Sequence, residues 1–381
     1  MNAEPVPALP ALARAAESLP AGAGRRVIVG LSGGVDSAVA ALLLAQAGWQ
    51  VEGLFMSNWD EADAYCTAAA DFQAARQVCA ELDIPLHRVS FRERYRERVF
   101  GPFLDEYAAG RTPNPDVHCN REIKFDAFLQ HARRLGAARI ATGHYARLCP
   151  RTGALQQAAD AGKDQTYFLH AVDPAALAHV LFPLGHLHKS QVRALAAEAG
   201  LPNHDRPDST GICFIGEGRF EPFLRRYLQA PAGPIETPEG REVGRHRGLC
   251  HYTIGQRRGL GIGGGQGGGA PWYVVDKCPA RNALIVVQGE HPARDHDRVF
   301  TGPAHWLSQP ALPCRAQARL RHRQPLQPCH VAADGAGLAV QFEAPQRAVA
   351  PGQSLVLYAG DRCLGGATIR GRARGGEVFT P

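Results

Sequence analysis

Two kinds of residue in this 381-residue chain are spaced for chemistry: a glycine turn that can hold an anion, and cysteines that can carry sulfur. Gly30 to Ser37 read GLSGGVDS, directly after the apolar run Arg26 to Leu31 and directly before an Ala/Leu-rich segment ended by Gly48. Gly33 and Gly34 let the main chain approach an anion closely, and successive N–H groups form a nest for it. Ser32 and Ser37 add hydroxyl donors, and a helix starting there adds its positive end. Many strand-to-helix turns carry glycine for steric reasons alone, but here a strand, SGGxDS and a helix coincide. No GxxxxGK[ST] occurs, so the turn is not a Walker loop. The ten cysteines contain no CxxC pair, which argues against a zinc ribbon or a thioredoxin-type couple. Cys119 follows a PNPD turn and precedes Asn120, Arg121 and a helical pattern; a thiol so placed should hold more thiolate than usual. Cys213 lies in TGICF, where small residues permit close access.

The elements needed to position these groups alternate in type. Strand patterns at Arg26–Leu31, Gln50–Met56, Leu86–Ser90 and Arg139–Thr142 are separated by helical patterns at Asp36–Ala47, Ala62–Leu82, Phe91–Gly110 and Ile123–Leu135. That order predicts an α/β fold, a doubly wound parallel sheet with ligands at the carboxyl ends of its strands. After about Glu221 the chain turns Gly- and Pro-rich, and from about Arg298 short alternating runs such as LAVQFEA predict a small β-barrel or sandwich. The expected division is a flexible extension over residues 1–24, an α/β domain over 25–220, a small central domain over 221–290 and a β-barrel over 291–381. The glycine-rich loop Gly261–Gly269 reads equally as a segment that orders on a ligand or as a surface linker.

Composition narrows the class. With 45 % hydrophobic and 20 % charged residues, the chain is globular rather than disordered. The longest apolar run, Ala38–Ala45, is far short of the roughly 18 residues that span a bilayer. The amino-terminal stretch has Glu4 and prolines where a signal peptide needs positive charge and an unbroken apolar core. A cytoplasmic chain with reduced thiols and no membrane partner is expected. Its net charge of +6 is a weak pointer to a polyanion. The cations are nearly all arginine, with lysine only at Lys124, Lys163, Lys189 and Lys277. Arginine suits phosphate recognition, although genome composition produces the same bias.

The SGGVDS turn resembles the loop of the PP-loop ATP pyrophosphatases, which cleave ATP between its α and β phosphates. Five further segments narrow the resemblance: GRTPNPDVHCNREIKF (110–125), ATGHYAR (141–147), GKDQTYFL (162–169), DSTGICFIGE (208–217) and YTIGQRRGLGIGG (252–264). Together they resemble the bacterial tRNA-specific 2-thiouridylases, from about Arg26 to the carboxyl terminus. The resemblance implies an enzyme that adenylates the C2 oxygen of the wobble uridine (U34) with ATP, then replaces it with sulfur from a cysteine persulfide. Cys119 takes the nucleophile position and Cys213 the persulfide position, with a transient Cys119–Cys213 disulfide; Asp116 is the acid or base. The other eight cysteines read as packing residues.

By the same resemblance Gly30, Leu31, Ser32, Gly33, Gly34, Val35, Asp36, Ser37, Met56 and Gly143 contact ATP, while Asn114, Pro115 and Asp116 face the target base. His144, Lys163, Asp164, Gln165, Arg321, His322 and Gln353 contact the tRNA. Asp36 helps to place Mg2+ beside the phosphates, caps the helix, or does both, and no structural metal is expected. His144 has the alternative of supporting a strand end, and RLRHRQ (319–324) that of a solvated strand edge. The implied partners are the anticodon stem-loop of tRNA, whose base must leave its stack, and a persulfide donor protein or relay. Rival readings are another PP-loop ligase or amidotransferase, which needs neither cysteine, and an RNA-binding protein with an inactive nucleotide site.

Overall fold

The computed structural model describes residues 10–59, 67–208, 220–228, 230–263, 269–375 and 377–379. They fold as two compact units, one holding residues to Val99, Asp116–Arg219 and Asp361–Cys363, the other Phe100–Pro115, Phe220–Gly360 and the residues from Leu364 on.

In the first unit the strands are β1 (Arg26–Gly30), β2 (Gln50–Ser57), β3 (Leu86–Ser90), β4 (Arg139–Thr142), a short hairpin of β5 (Arg147–Leu148) and β6 (Leu155–Gln156), and β7 (Val180–Leu181). Five of these form a parallel sheet in the order β3-β2-β1-β4-β7. β1 is central and covered on both faces, which is why Val27, Ile28 and Val29 form an unbroken buried apolar run. The order reverses between β1 and β4, so the loops that follow these two strands flank the crevice where doubly wound sheets bind ligands. Gly30 pairs with Leu54 of β2 and with Thr142 of β4, so β1 and β4 end level while β2 runs on to Ser57.

Helix α1 (Pro10–Glu17) precedes β1, α2 (Val35–Gln46) follows it, and α3 (Ala68–Glu81) follows β2. α2 is buried from Ala38 to Leu44, because it faces the sheet on one side and other helices on the other. One of those helices is α1, which corrects the expectation of a flexible amino-terminal extension over its described part. Leu12 and Ala16 lie a helical turn apart and are buried in a cluster with Val39, Leu43, Val192 and Leu195. The Gly22 N–H donates to the Ala47 carbonyl (2.8 Å) and the Trp49 indole N–H to the Pro20 carbonyl (2.8 Å), continuing the attachment. The Ala/Pro composition suggested slack, but alanine favours helix and the apolar spacing gives it a face. The start of the helix expected at Ala62–Leu82 lies outside the described residues, which show it as α3.

In the second unit β8 (Gly233–Glu236), β9 (Glu242–His246), β10 (Trp272–Cys278) and β11 (Ala283–Gln288) form a sheet ordered β10-β11-β8-β9. Next come β12 (Asp295–Thr301), β13 (His305–Trp306), β14 (Cys314–Arg319), β15 (Gln327–Asp334), β16 (Gly337–Arg347), β17 (Ser354–Ala359) and β18 (Arg362–Arg374). β12 pairs with β16 on one side and with β18 on the other, closing an antiparallel barrel in the order β12-β16-β15-β14-β17-β18. This decides between barrel and sandwich. Closure leaves no free edge, and Val299, Val340, Leu355, Leu357 and Ile369 fill the interior.

Gly143, just past β4, packs against the amino end of α2: an added Cβ would lie 2.7 Å from the Ser37 nitrogen and 2.8 Å from the Asp36 carbonyl carbon. Both contacts are main chain and cannot swing aside. Gly143→Ala is therefore expected to cost about 1–3 kcal/mol by forcing β4 and α2 apart. Urea unfolding checks this, with a lower midpoint and an unchanged slope.

Candidate functional site

The turn between β1 and α2 is held from within and from outside. Within it, the Ser32 and Ser37 hydroxyls lie 3.3 Å apart, the Ser32 N–H donates to Ser37 Oγ (3.2 Å), and Ser37 Oγ donates to the Gly34 carbonyl (3.0 Å). Gly33 has φ +78°, where a side chain would be strained, and a Cβ there would lie 2.4 Å from the Asp71 carbonyl oxygen. From outside, the Gly33 carbonyl accepts from Asn203 Nδ2 (2.9 Å) and Arg206 Nη1 (3.0 Å), and Arg206 also pairs with Asp71 on α3. Around this turn the structure gathers the residues expected to meet ATP. Met56 Cε would lie 3.3 Å from a Cβ at Gly30, and Gly143 lies against Ser37.

Asp36 does not cap α2; the N-cap is Gly34, and Asp36 sits in the first turn. Its Oδ1 accepts from the Tyr145 hydroxyl (2.8 Å) and from Lys189 Nζ (2.7 Å). Lys189, only 12 % exposed, also reaches Asp208 Oδ1 at 2.7 Å, and Asp208 is paired further with Lys163 (2.6 Å) and Arg193 (2.9 Å). The result is a chain of alternating charges leading away from the turn. Burial works against the charge of Asp208, but hydrogen bonds from Lys163 and Lys189 override it and hold the carboxyl at about 2. Burial, then the neighbouring Asp36, pushes the Tyr145 phenol well up, so it stays a donor. Sequence reading missed Tyr145, Lys189, Arg206 and Asp208 in these roles. Their one signal was the scarcity of lysine, since two of the four lysines converge on Asp208.

The residues expected to touch tRNA divide by environment. His144 is buried; burial and then Lys124 hold its imidazole far below the usual histidine range, and its Nδ1 bonds Thr142 Oγ1 at 2.8 Å. The strand-end alternative describes this placement. Asp164 is buried too, accepting from the Ala158 N–H (3.1 Å), Gln157 Nε2 (3.2 Å) and Thr166 Oγ1. Gln165 Oε1 accepts from the Tyr145 N–H, and the Gln165 N–H donates to the Tyr145 carbonyl, both at 2.9 Å. Of this run, Lys163 and Gln165 are partly exposed.

Cys119 ends the helix Pro115–Cys119 and is 1 % exposed. Sequence reading placed the thiol before a helix; the helix instead opens at Pro115, because proline is suited to a first helical position. Arg121, expected beside the thiol, pairs with Glu122 (2.8 Å) and reaches His118. Asp116 is half-buried on the same short helix. Cys213 and the Cys119–Cys213 pairing fall outside the described residues.

In the second unit the segment leading to Asn114 and Pro115 is tied down along its length. Lys277 Nζ donates to the Gly110 carbonyl (2.9 Å), the Thr112 N–H to Pro351 (2.9 Å), and Gln353 Nε2 to the Thr112 carbonyl (2.8 Å). Gln353, expected at tRNA, thus fixes the residues just before those expected to face the base. Burial pulls the Lys277 amine down to about 8. Arg321 and His322 form the turn between β14 and β15, with Arg321 exposed and His322 half-buried; the strand-edge alternative is corrected, because the chain reverses there.

Among the described residues no group of three or more His, Cys, Asp or Glu side chains is arranged to hold a metal. None of their helices is long and apolar enough to cross a membrane.

Comparison with known proteins covers most of the chain. Residues 25–217 match the model described as tRNA methyl transferase HUP domain, 221–288 the tRNA methyl transferase PRC-barrel domain, and 296–369 the aminomethyltransferase beta-barrel domain. A protein of Chromohalobacter salexigens named tRNA-specific 2-thiouridylase MnmA is 55 % identical over 354 residues, 91 % of this chain and 92 % of that one. The protein of the same name from Alcanivorax borkumensis is 55 % identical over 352 residues, 90 % of this chain and 97 % of that one. Among solved structures, the U34-tRNA thiolase NcsA of Methanococcus maripaludis matches at 18 % identity and TM-score 0.37, covering 56 % of this chain and 69 % of that one.

Lys189→Met leaves Asp36 and Asp208 without a shared cation and is expected to destabilise the protein by about 1–3 kcal/mol at neutral pH. The Asp208 carboxyl titrates lower when folded (about 2) than its ordinary 3.8, so its stabilisation is complete above 3.8 and lost as pH falls toward 2. Denaturation at a series of pH values should therefore show the variant and the parent converging across that window.

Proposed function

The chain belongs to the tRNA-specific 2-thiouridylase family, and from that membership we propose how its residues carry the reaction. The reaction is the ATP-dependent conversion of the wobble uridine of tRNA to 2-thiouridine, with AMP and pyrophosphate as the other products. The observation that supports this assignment of roles is the turn between β1 and α2. Its hydroxyl pair, its bridled Gly33 carbonyl and its position at the strand-order reversal suit it to the phosphates of ATP. Residues Gly30 to Ser37 bind these phosphates, with Met56 and Gly143 closing the sides.

Both bonds to Asp36 go to Oδ1, and Oδ2 takes none among the described residues. One carboxylate oxygen beside the phosphates matches how Mg2+ binds with nucleotides, so Asp36 would hold it there. Bound Mg2+ would neutralise phosphate charge as the α–β bond breaks.

The C2 oxygen of uridine attacks the α-phosphorus and pyrophosphate leaves, turning a poor leaving group into AMP. Asn114, Pro115 and Asp116 face the flipped base, and Asp116 moves the proton. Cys213 carries a persulfide. In the direct course its terminal sulfur bonds to C2 and displaces AMP; the Cys119 thiolate then attacks Cys213 Sγ, releasing 2-thiouridine and leaving a Cys119–Cys213 disulfide. In the stepwise course that attack comes first and frees hydrosulfide, which displaces AMP. Either way a two-electron reductant reopens the disulfide, and a persulfide donor protein or relay reloads Cys213. Lys163, Arg321 and His322 contact the tRNA. His144, Asp164, Gln165 and Gln353 support the surfaces that do, since each is bonded inside its own unit. The catalytic domain spans 25–220, the central domain 221–290 and the barrel 291–381, and the enzyme acts in the cytoplasm.

Cys119→Ser and Cys213→Ser are each expected to abolish thiolation, measured as sulfur incorporated into tRNA, while the dissociation constant for tRNA stays within about twofold of the parent. Pyrophosphate release should still require tRNA. Full thiolation by the Cys213→Ser protein would sink the persulfide assignment.

A further inference from the structure

The segment YTIGQRRGLGIGG has no part in the steps above, yet its turn is tightly built. The Thr253 N–H donates to Gln256 Oε1 (3.0 Å), the Gln256 N–H returns to the Thr253 carbonyl (2.9 Å), and Gln256 Nε2 donates to the Arg258 carbonyl (2.9 Å). The turn is pinned to β10 by Gly255 N–H to the Val274 carbonyl (2.8 Å) and Val274 N–H to the Gln256 carbonyl (3.0 Å). Gly255 has φ +89°, and a Cβ there would lie 2.2 Å from that of Ala348. Tyr252 and Leu260 bury the two ends, while Arg257, Arg258 and Gly259 are exposed.

This much order is spent on displaying two cations. Some exposed arginines of the unit are tied to acids, as in Arg281–Glu236 and Arg347–Glu290, while others, such as Arg298 and Arg321, are not. Among the described residues neither Arg257 nor Arg258 has an acidic partner. The location is also specific. Thr253 Oγ1 lies 3.4 Å from Thr112 Oγ1, and Thr112 belongs to the anchored segment that ends in Asn114 and Pro115. We propose that Arg257 and Arg258 form a phosphate-binding site for the single-stranded anticodon loop beside the target uridine. The turn is organised before binding, so the guanidinium groups engage phosphate oxygens with little backbone ordering left to do. The proposal rests on the thiolation reading and adds a binding site to it.

The test is equilibrium binding of a labelled anticodon stem-loop RNA, measured across a series of salt concentrations, to the full chain and to the paired Arg257→Gln, Arg258→Gln variant. Each lost phosphate contact should lower the slope of log affinity against log salt by about 0.7, so the pair should lower it by about 1.4. Affinity at low salt should fall about tenfold or more. The paired Lys variant keeps the charges and should keep the slope within about 0.3 of the parent while losing part of the affinity. A Gln pair that melts at the parent temperature and keeps both slope and affinity overturns the proposal while wild-type thiolation stands. Failure of the wild-type protein to thiolate tRNA overturns the reading beneath it.

Discussion

The orientation of one peptide governs the site. The bond between Gly33 and Gly34 is planar, so whatever holds the Gly33 carbonyl also aims the Gly34 N–H the opposite way. Asn203 and Arg206 hold that carbonyl, and Arg206 is itself held by Asp71 on α3. A glycine turn without this grip has many conformations, few of which collect N–H groups into an anion nest. Pairing of β1 with both neighbours supplies the fixed starting point, and the burial of α2 supplies the fixed end.

The turn proposed to receive phosphates also carries a carboxylate, and the two would repel. Lys189 resolves this by lying against Asp36, while Asp208 balances Lys189 and is balanced in turn by Lys163 and Arg193. Removing any member leaves a partly buried charge short of its partner, which costs more than the pair contributes. The roles read from single residues are therefore properties of the group. Asp36 holds its geometry because of Lys189, which lies 153 residues further along the chain.

How much of this was legible in the chain follows from distance along it. The strand, glycine turn and helix at 26–46 were readable because every determinant is local. So was the parallel sheet, from its alternation. The barrel was readable as β-structure, but closure depends on β12 meeting β18 some seventy residues later. Pro115 was misread as loop because PNPD is turn chemistry until the residues after it are seen to continue as helix. α1 was misread because its reason to fold is a cluster supplied by α2 and by residues 192–201. His144, Asp164 and Gln165 stand in motifs, and a motif does not say whether a side chain faces a ligand or the interior.

The scarcity of lysine has a last consequence. Of four lysines, Lys163 and Lys189 meet at Asp208 and Lys277 holds the Gly110 carbonyl. Arginine carries the surface charge almost alone, so the chain's side-chain amines are concentrated where they organise the site. Acylation, glycation or an amine-directed crosslinker, which on most proteins decorates the periphery, would here fall largely on structural joints. A reagent of that kind would act on this enzyme as an inactivator rather than as a label.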